Sequence, residues 1–229
     1  MKKNRLLQCF CATTGLVLLP LSSSAQEDLD PAKMEEIMGK YANPGPQHKA
    51  LRSWAGVWKA ETSYWLQPGG EPMRTKGEST VRLLLKGRFL REQYTSEIPG
   101  MGPFLGQGTL AYDRVAKEYV HTWMDNMATS IMISRGKPSK DGKTIEVEAI
   151  HKNYMTMQDI KYRTVYHPSD GKTRKMEMFS TPPGQKEYKH MEIIYTKVRG
   201  LQKGAGAKTG AAAGAAIGGG QTEKAGEKK

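Results

Sequence analysis

Between Trp54 and Val198 apolar and polar residues change places at almost every position. Val81 and Leu83 alternate with Thr80 and Arg82. Ile145, Val147 and Ala149 alternate with Thr144, Glu146 and Glu148, and Ile160, Tyr162, Thr164 and Tyr166 with Lys161, Arg163 and Val165. A period of two sends successive side chains to opposite faces, so each run predicts a strand with one buried face and one wet face. Turn-forming residues separate the runs, among them Pro68-Gly69-Gly70, Lys86-Gly87, Pro99-Gly100, Asp141-Gly142 and Pro182-Pro183-Gly184. Counting between turns predicts roughly ten strands with no helical crossover, hence an antiparallel meander. Two exposed edges on so long a sheet would invite aggregation, and closure into a barrel removes them. The expected fold is therefore all-β, a roughly ten-stranded antiparallel barrel over residues 53–200.

The pattern differs at both ends. Over residues 26–52 it is helical: Asp30-Pro31 reads as an N-cap with proline in the first turn, and Met34, Ile37 and Met38 recur on one face. Asn43-Pro44-Gly45-Pro46 stops that helix, and a second short one leads into the first strand. Residues 1–25 carry a basic start (Lys2, Lys3, Arg5), an apolar run from Leu6 to Leu21, and the small residues Ser23-Ser24-Ala25. That order predicts a secretory signal cleaved after Ala25 and an exported protein, periplasmic or secreted. The run is too short and too interrupted for a spanning helix, so no transmembrane span is expected in the mature chain. Residues 201–229 are nearly all Gly, Ala, Lys, Thr, Gln and Glu, too polar to offset the entropy of ordering, and predict a disordered tail.

Both cysteines, Cys9 and Cys11, fall in the signal segment. The mature chain then has no disulfide, no thiolate nucleophile and no cysteine-ligated metal. The net charge of +12 suggests polyanions. Its positive residues are scattered through alternating strands and the tail, so nucleic acid is not expected as a partner. An anionic envelope polymer or lipid head groups, reached through the basic tail, suit an exported protein better.

Gly56-Val57-Trp58, standing after a helix and opening the first strand, resembles the Gly-x-Trp pattern of lipocalin-like barrels. That resemblance implies an indole, Trp58, plugging one end of the barrel, with Arg199 the arginine expected to stack on it. Gly87-Arg88-Phe89-Leu90, Met101-Gly102-Pro103-Phe104 with Gly106, Tyr112-Asp113, and Tyr119 to Asp125 with Trp123 are similar to an uncharacterised bacterial family, domain of unknown function fifteen seventy-nine. Two departures are Gly102, inserted between Met101 and Pro103, and Ala111 in place of a glycine before Tyr112. The family implies a calycin-like barrel and no reaction.

The strand from Tyr119 to Asp125 is the leading site candidate. Its alternation puts Tyr119, His121, Trp123 and Asp125 on one face, expected to line a wet lumen, and Val120, Thr122 and Met124 on the other. Arg88, Glu92 and Tyr94 share a face nearby and are expected to meet that set. With Trp58 and Tyr112 these form the candidate ligand-binding group. Catalytic signatures are poor: there is no nucleophile elbow, no phosphate-cradling loop and no paired-histidine metal motif. No cofactor is implied. Met155-x-Met157 and Met176-x-Met178 read as core filling. The expectation is a barrel binding a small hydrophobic or aromatic molecule. The alternatives are an isomerase or hydrolase using His121, Asp125 and Arg88, or an envelope-structural protein.

Overall fold

The protein is described here by a computed structural model covering residues 30–140 and 143–199. The predicted signal segment 1–25 and the predicted tail 201–229 lie outside the described residues. The described chain begins with helices α1 (Pro31–Ala42) and α2 (Pro46–Ala50), then a 3₁₀ turn (Leu51–Trp54). Ten strands follow: β1 (Gly56–Tyr64), β2 (Met73–Leu84), β3 (Phe89–Ile98), β4 (Gly102–Asp113) and β5 (Glu118–Asp125). Then come β6 (Met132–Pro138), β7 (Ile145–Lys152), β8 (Asp159–Tyr166), β9 (Thr173–Thr181) and β10 (Tyr188–Arg199).

Every strand pairs antiparallel with its neighbour in sequence, and β1 closes the ring on β10. The closing seam sets Trp58 opposite Lys197 and Tyr64 opposite Met191, with a register shift between Val57 and Trp58. Because the connections alternate between ends, the loops after β1, β3, β5, β7 and β9 share one end of the barrel. The helices and the other loops share the opposite end.

The two ends differ in filling. At the helical end Trp54, Trp58, Val81, Leu90, Leu110, Val147, Tyr166 and Tyr195 are all buried. The Trp58 indole donates to the Trp54 carbonyl at 2.9 Å, so the 3₁₀ turn is bonded to the plug it covers. Toward the other end the inward positions Tyr64, Phe104, Trp123, Met132, Tyr162 and Met178 are only half-buried. The barrel is closely packed at the helical end, its floor, and carries its half-buried aromatic side chains toward the other, its mouth.

Glycines set the wall where strands press together. A Cβ at Gly136 would collide with the Glu146 carbonyl oxygen and stand 2.7 Å from the Val147 Cα, both backbone atoms that cannot turn aside. Gly106 lets the Trp123 ring lie flat against β4, since a Cβ there would run into Cζ2 of that indole.

Helix α1 is tied to the barrel at its C-terminal end. Arg88 Nε donates to the Ala42 carbonyl at 2.8 Å and Arg114 Nη1 to the Asn43 carbonyl at 2.9 Å, satisfying two carbonyls at the helix end. No α1 side chain is fully buried. The stripe of Met34, Ile37 and Met38 forms as the spacing predicts, but none of it reaches the core: Met34 and Met38 are exposed and Ile37 is half-buried.

These contacts predict that Gly136→Ala costs about 1–3 kcal/mol, the range for overpacking a tight site, read from urea midpoints. Gly39→Ala on α1, where nothing lies within 4 Å, should leave the midpoint unchanged or slightly raised.

Candidate ligand-binding lumen

At the floor a charged pair is buried among aromatic rings. Arg174 on β9 lies opposite Tyr195 on β10, and its guanidinium sits 3.7 Å from that ring's centre, 5.2 Å from Trp58 and 5.4 Å from Trp54. Its Nη2 donates to Glu92 Oε1 at 2.8 Å and to Ser79 Oγ at 3.2 Å, and the Ser79 hydroxyl donates to the same carboxylate oxygen. Burial alone would raise the Glu92 pKa. The guanidinium and the serine hydroxyl outweigh it and hold the carboxyl below its ordinary value. Glu92 keeps 12% of its side chain accessible although it points inward. That surface faces the lumen.

Beside this pair stand His121 and Tyr166, their rings edge to face at 5.5 Å. The His121 ring is buried, and burial pushes its pKa down to about 4 against a partial upward pull from Glu92. The imidazole is neutral at pH 7. One ring nitrogen, Nε2, sits close to Gly108, where a Cβ would stand 3.1 Å away; the other, Nδ1, has no hydrogen-bond partner in the protein.

Higher up, Thr62 and Tyr94 share a hydrogen bond of 2.8 Å across β1 and β3. Thr75 lies opposite Thr62 and Ser96 opposite Gly77, and both their hydroxyls are buried without a protein partner. At the mouth the Trp123 indole donates to Asp125 Oδ2 at 3.0 Å, while Oδ1 accepts from the Met127 amide. Burial, with Tyr94 and Asp125 nearby, holds the Tyr64 hydroxyl protonated far above the ordinary tyrosine value. Strands β1, β3 and β5 thus converge there on one polar-aromatic cluster.

Sequence alternation therefore placed Glu92, Tyr94, His121, Trp123 and Asp125 correctly on the inner face. It placed Arg88 wrongly. Leu85, Lys86 and Gly87 adopt positive φ and Arg88 is helical, so period two stops at Phe89 and the Arg88 side chain turns out to Ala42 and Asn43. Arg88 meets neither Glu92 nor Asp125. Trp58 and Tyr112 belong to the floor: Trp58 is fully buried, and Tyr112 packs at 4.9 Å against Tyr119 and 6.1 Å from His48.

The described arginine that packs against the Trp58 indole is Arg174; the resemblance implies Arg199 for that role. The Arg199 side chain lies outside the described residues, and Lys197 joins Arg174 against Trp58 at 4.7 Å. Arg174 had a signal: it shares the apolar inward face of Met176 and Met178, where a charge requires a buried partner. The His121, Asp125 and Arg88 set of an isomerase or hydrolase is not assembled. Among the described residues no cluster suited to holding a metal ion is present, and no helix is long and apolar enough to cross a membrane.

Two surface grooves, of about 560 and 690 Å³, lie on the outer wall of β3 to β5. The first, beneath the β5–β6 loop, reaches Tyr94 and Asp125; the second lies beside Tyr41, Arg88 and His48. The convergent polar groups are in the lumen, and the lumen is the stronger candidate.

With this geometry in hand, residues 43–197 match the family described as Protein of unknown function (DUF1579). The chain belongs to that family. The DUF1579 barrel is similar to the crystal structure of Rv2717c from M. tuberculosis, at 17% identity and a TM-score of 0.52, covering 69% of this chain and all of that one. This likeness extends to the fold. No curated protein matches the chain.

Two outcomes test the floor of the DUF1579 barrel. Arg174→Met should cost about 3–5 kcal/mol by stranding Glu92, and adding Glu92→Leu should recover much of it, as a double-mutant cycle measures. For pH, His121 has a folded value of about 4 against 6.5 in the unfolded chain. As pH falls from 6.5 the unfolded state takes up a proton that the folded state refuses, so stability declines down to about 4 and is unaffected by this residue above 6.5. The loss is on the order of 3 kcal/mol, and His121→Leu should flatten that stretch of the pH profile. Ionised Glu92 adds a second decline at still lower pH.

Proposed function

We propose that this protein is exported and binds a small hydrophobic or aromatic molecule in the mouth half of its barrel. The observation that carries the reading is a difference in packing: buried aromatic side chains close the floor, whereas the large inward side chains Tyr64, Phe104, Trp123, Met132, Tyr162 and Met178 nearer the mouth are half-buried. Ten strands enclose more room than the eight that side chains just fill. The upper lining combines broad apolar surfaces (Trp123, Phe104, Met178) with unpaired hydroxyls on Thr75 and Ser96. Large apolar surface with few convergent polar groups suits a flat or flexible guest carrying one polar end. The signal-like residues 1–25 support export.

Saturable uptake of 1-anilinonaphthalene-8-sulfonate or palmitate, with a change in tryptophan fluorescence, is the expected result. Met178→Trp, which narrows the mouth half, should weaken it by at least roughly tenfold, about 1.4 kcal/mol. Absence of saturable uptake, or uptake indifferent to that substitution, defeats the proposal. N-terminal sequencing of protein recovered from its host's envelope should begin at Gln26.

A further inference from the structure

The loops around the mouth carry an unusual set of side chains. Leu66 follows β1, Met101 follows β3, Ile131 precedes β6, and Tyr154, Met155 and Met157 form the β7–β8 loop. All six are between 55% and 78% exposed. Alternating topology puts these four loops at the same end, so the apolar tips form a ring around the mouth. Trp65, half-buried beside Leu66, has its backbone amide tied to the His190 carbonyl at 2.9 Å and its ring 5.7 Å from Lys189 Nζ.

At the helical end the exposed apolar loop residues are Leu85 and Val115, standing among Lys86, Arg114, Lys117, Lys140 and Lys172. At the same end Met34, Met38 and Tyr41 are exposed on helix α1, but the larger set of apolar loop tips is at the mouth, and such a set marks an interaction surface. Separate tips on separate loops fit a soft apolar medium better than a shaped protein groove. An indole with a neighbouring lysine is the pairing that settles at a lipid–water boundary.

We propose that the mouth rim is a membrane-docking ring, which inserts Leu66, Met101, Ile131, Tyr154, Met155 and Met157 into the surface of a lipid bilayer so that the mouth faces the lipid. The rim's own charge is mixed, with Arg74, Lys152 and Lys186 beside Glu71, Asp159 and Glu187. Apolar insertion therefore provides the hold, while the positive charge of the chain after residue 25 (35 − 3 = 32 basic against 23 acidic residues) favours approach to anionic lipids. The ring stands on exposure and topology and does not depend on what the lumen holds.

Sedimentation of the full chain with phosphatidylcholine vesicles containing phosphatidylglycerol tests it. Binding should survive high salt, and bromine-labelled acyl chains should quench tryptophan fluorescence. The triple variant Leu66→Ser/Met155→Ser/Met157→Ser should lower the partition coefficient at least tenfold. Val115→Ser at the opposite end should leave it unchanged, with circular dichroism showing that both variants are folded. No vesicle binding overturns the proposal. So does binding that the triple variant retains but that is lost when Lys203, Lys208, Lys224, Lys228 and Lys229 are replaced by Gln, because the tail is then the tether. Self-association abolished by the triple variant without vesicle binding also overturns it, assigning the rim to a second copy of the chain. Uptake of a soluble guest without vesicle binding sinks this inference and leaves the lumen reading standing.

Discussion

A charge cannot be left alone inside a barrel, and the pairing of Arg174 with Glu92 organises the floor of this one. Arg174 on β9 reaches across to Glu92 on β3. Ala60 on β1, opposite Tyr195, contributes only a methyl group to the space between. Removing both ions from water is costly, and the 2.8 Å bond, the Ser79 hydroxyl and three aromatic rings around the guanidinium offset that cost. The same pair pins register. A one-residue slip of β3 or β9 would turn one charge outward and leave the other buried without a partner.

Above that floor the lining turns more polar. The neutral His121, the Thr62–Tyr94 bond and the unpaired hydroxyls of Thr75 and Ser96 form a polar belt beneath an aromatic mouth. Gly77, Gly106 and Gly108 make it possible, since a side chain at any of them would press on Tyr94, Trp123 or His121. A tightly packed core and half-buried aromatic surface thus occupy opposite halves of one sheet. The floor carries the packing, and the mouth is free to keep exposed surface that a core could not tolerate.

The outer wall divides in a related way. Across β8 to β10 it carries an ion network in which Glu177 meets Lys175, Lys189 and His167. Around β4 to β6 it is apolar, with Leu105, Met124 and Ile133 exposed. Alternation made both faces legible as outward, but not which outward stretch would be charged together, because that depends on which strands become neighbours.

Sequence alone was enough for strand number, the inward set on β5 and the two helices ahead of the barrel, because each follows from local periodicity, capping or turn chemistry, while the Trp58 plug came from resemblance to a known barrel pattern. It failed at Arg88, where extrapolating the alternation past Phe89 ignored three left-handed residues in a row. It was silent on the partnership of Arg174 and Glu92, which stand 82 residues apart. Each residue showed its own anomaly, a charge on an apolar face, but only closure of the ring brings the two faces together. Local pattern determines which way a side chain points; what it points at is decided by the tertiary structure, because contact across a barrel depends on the stagger and curvature of every strand between.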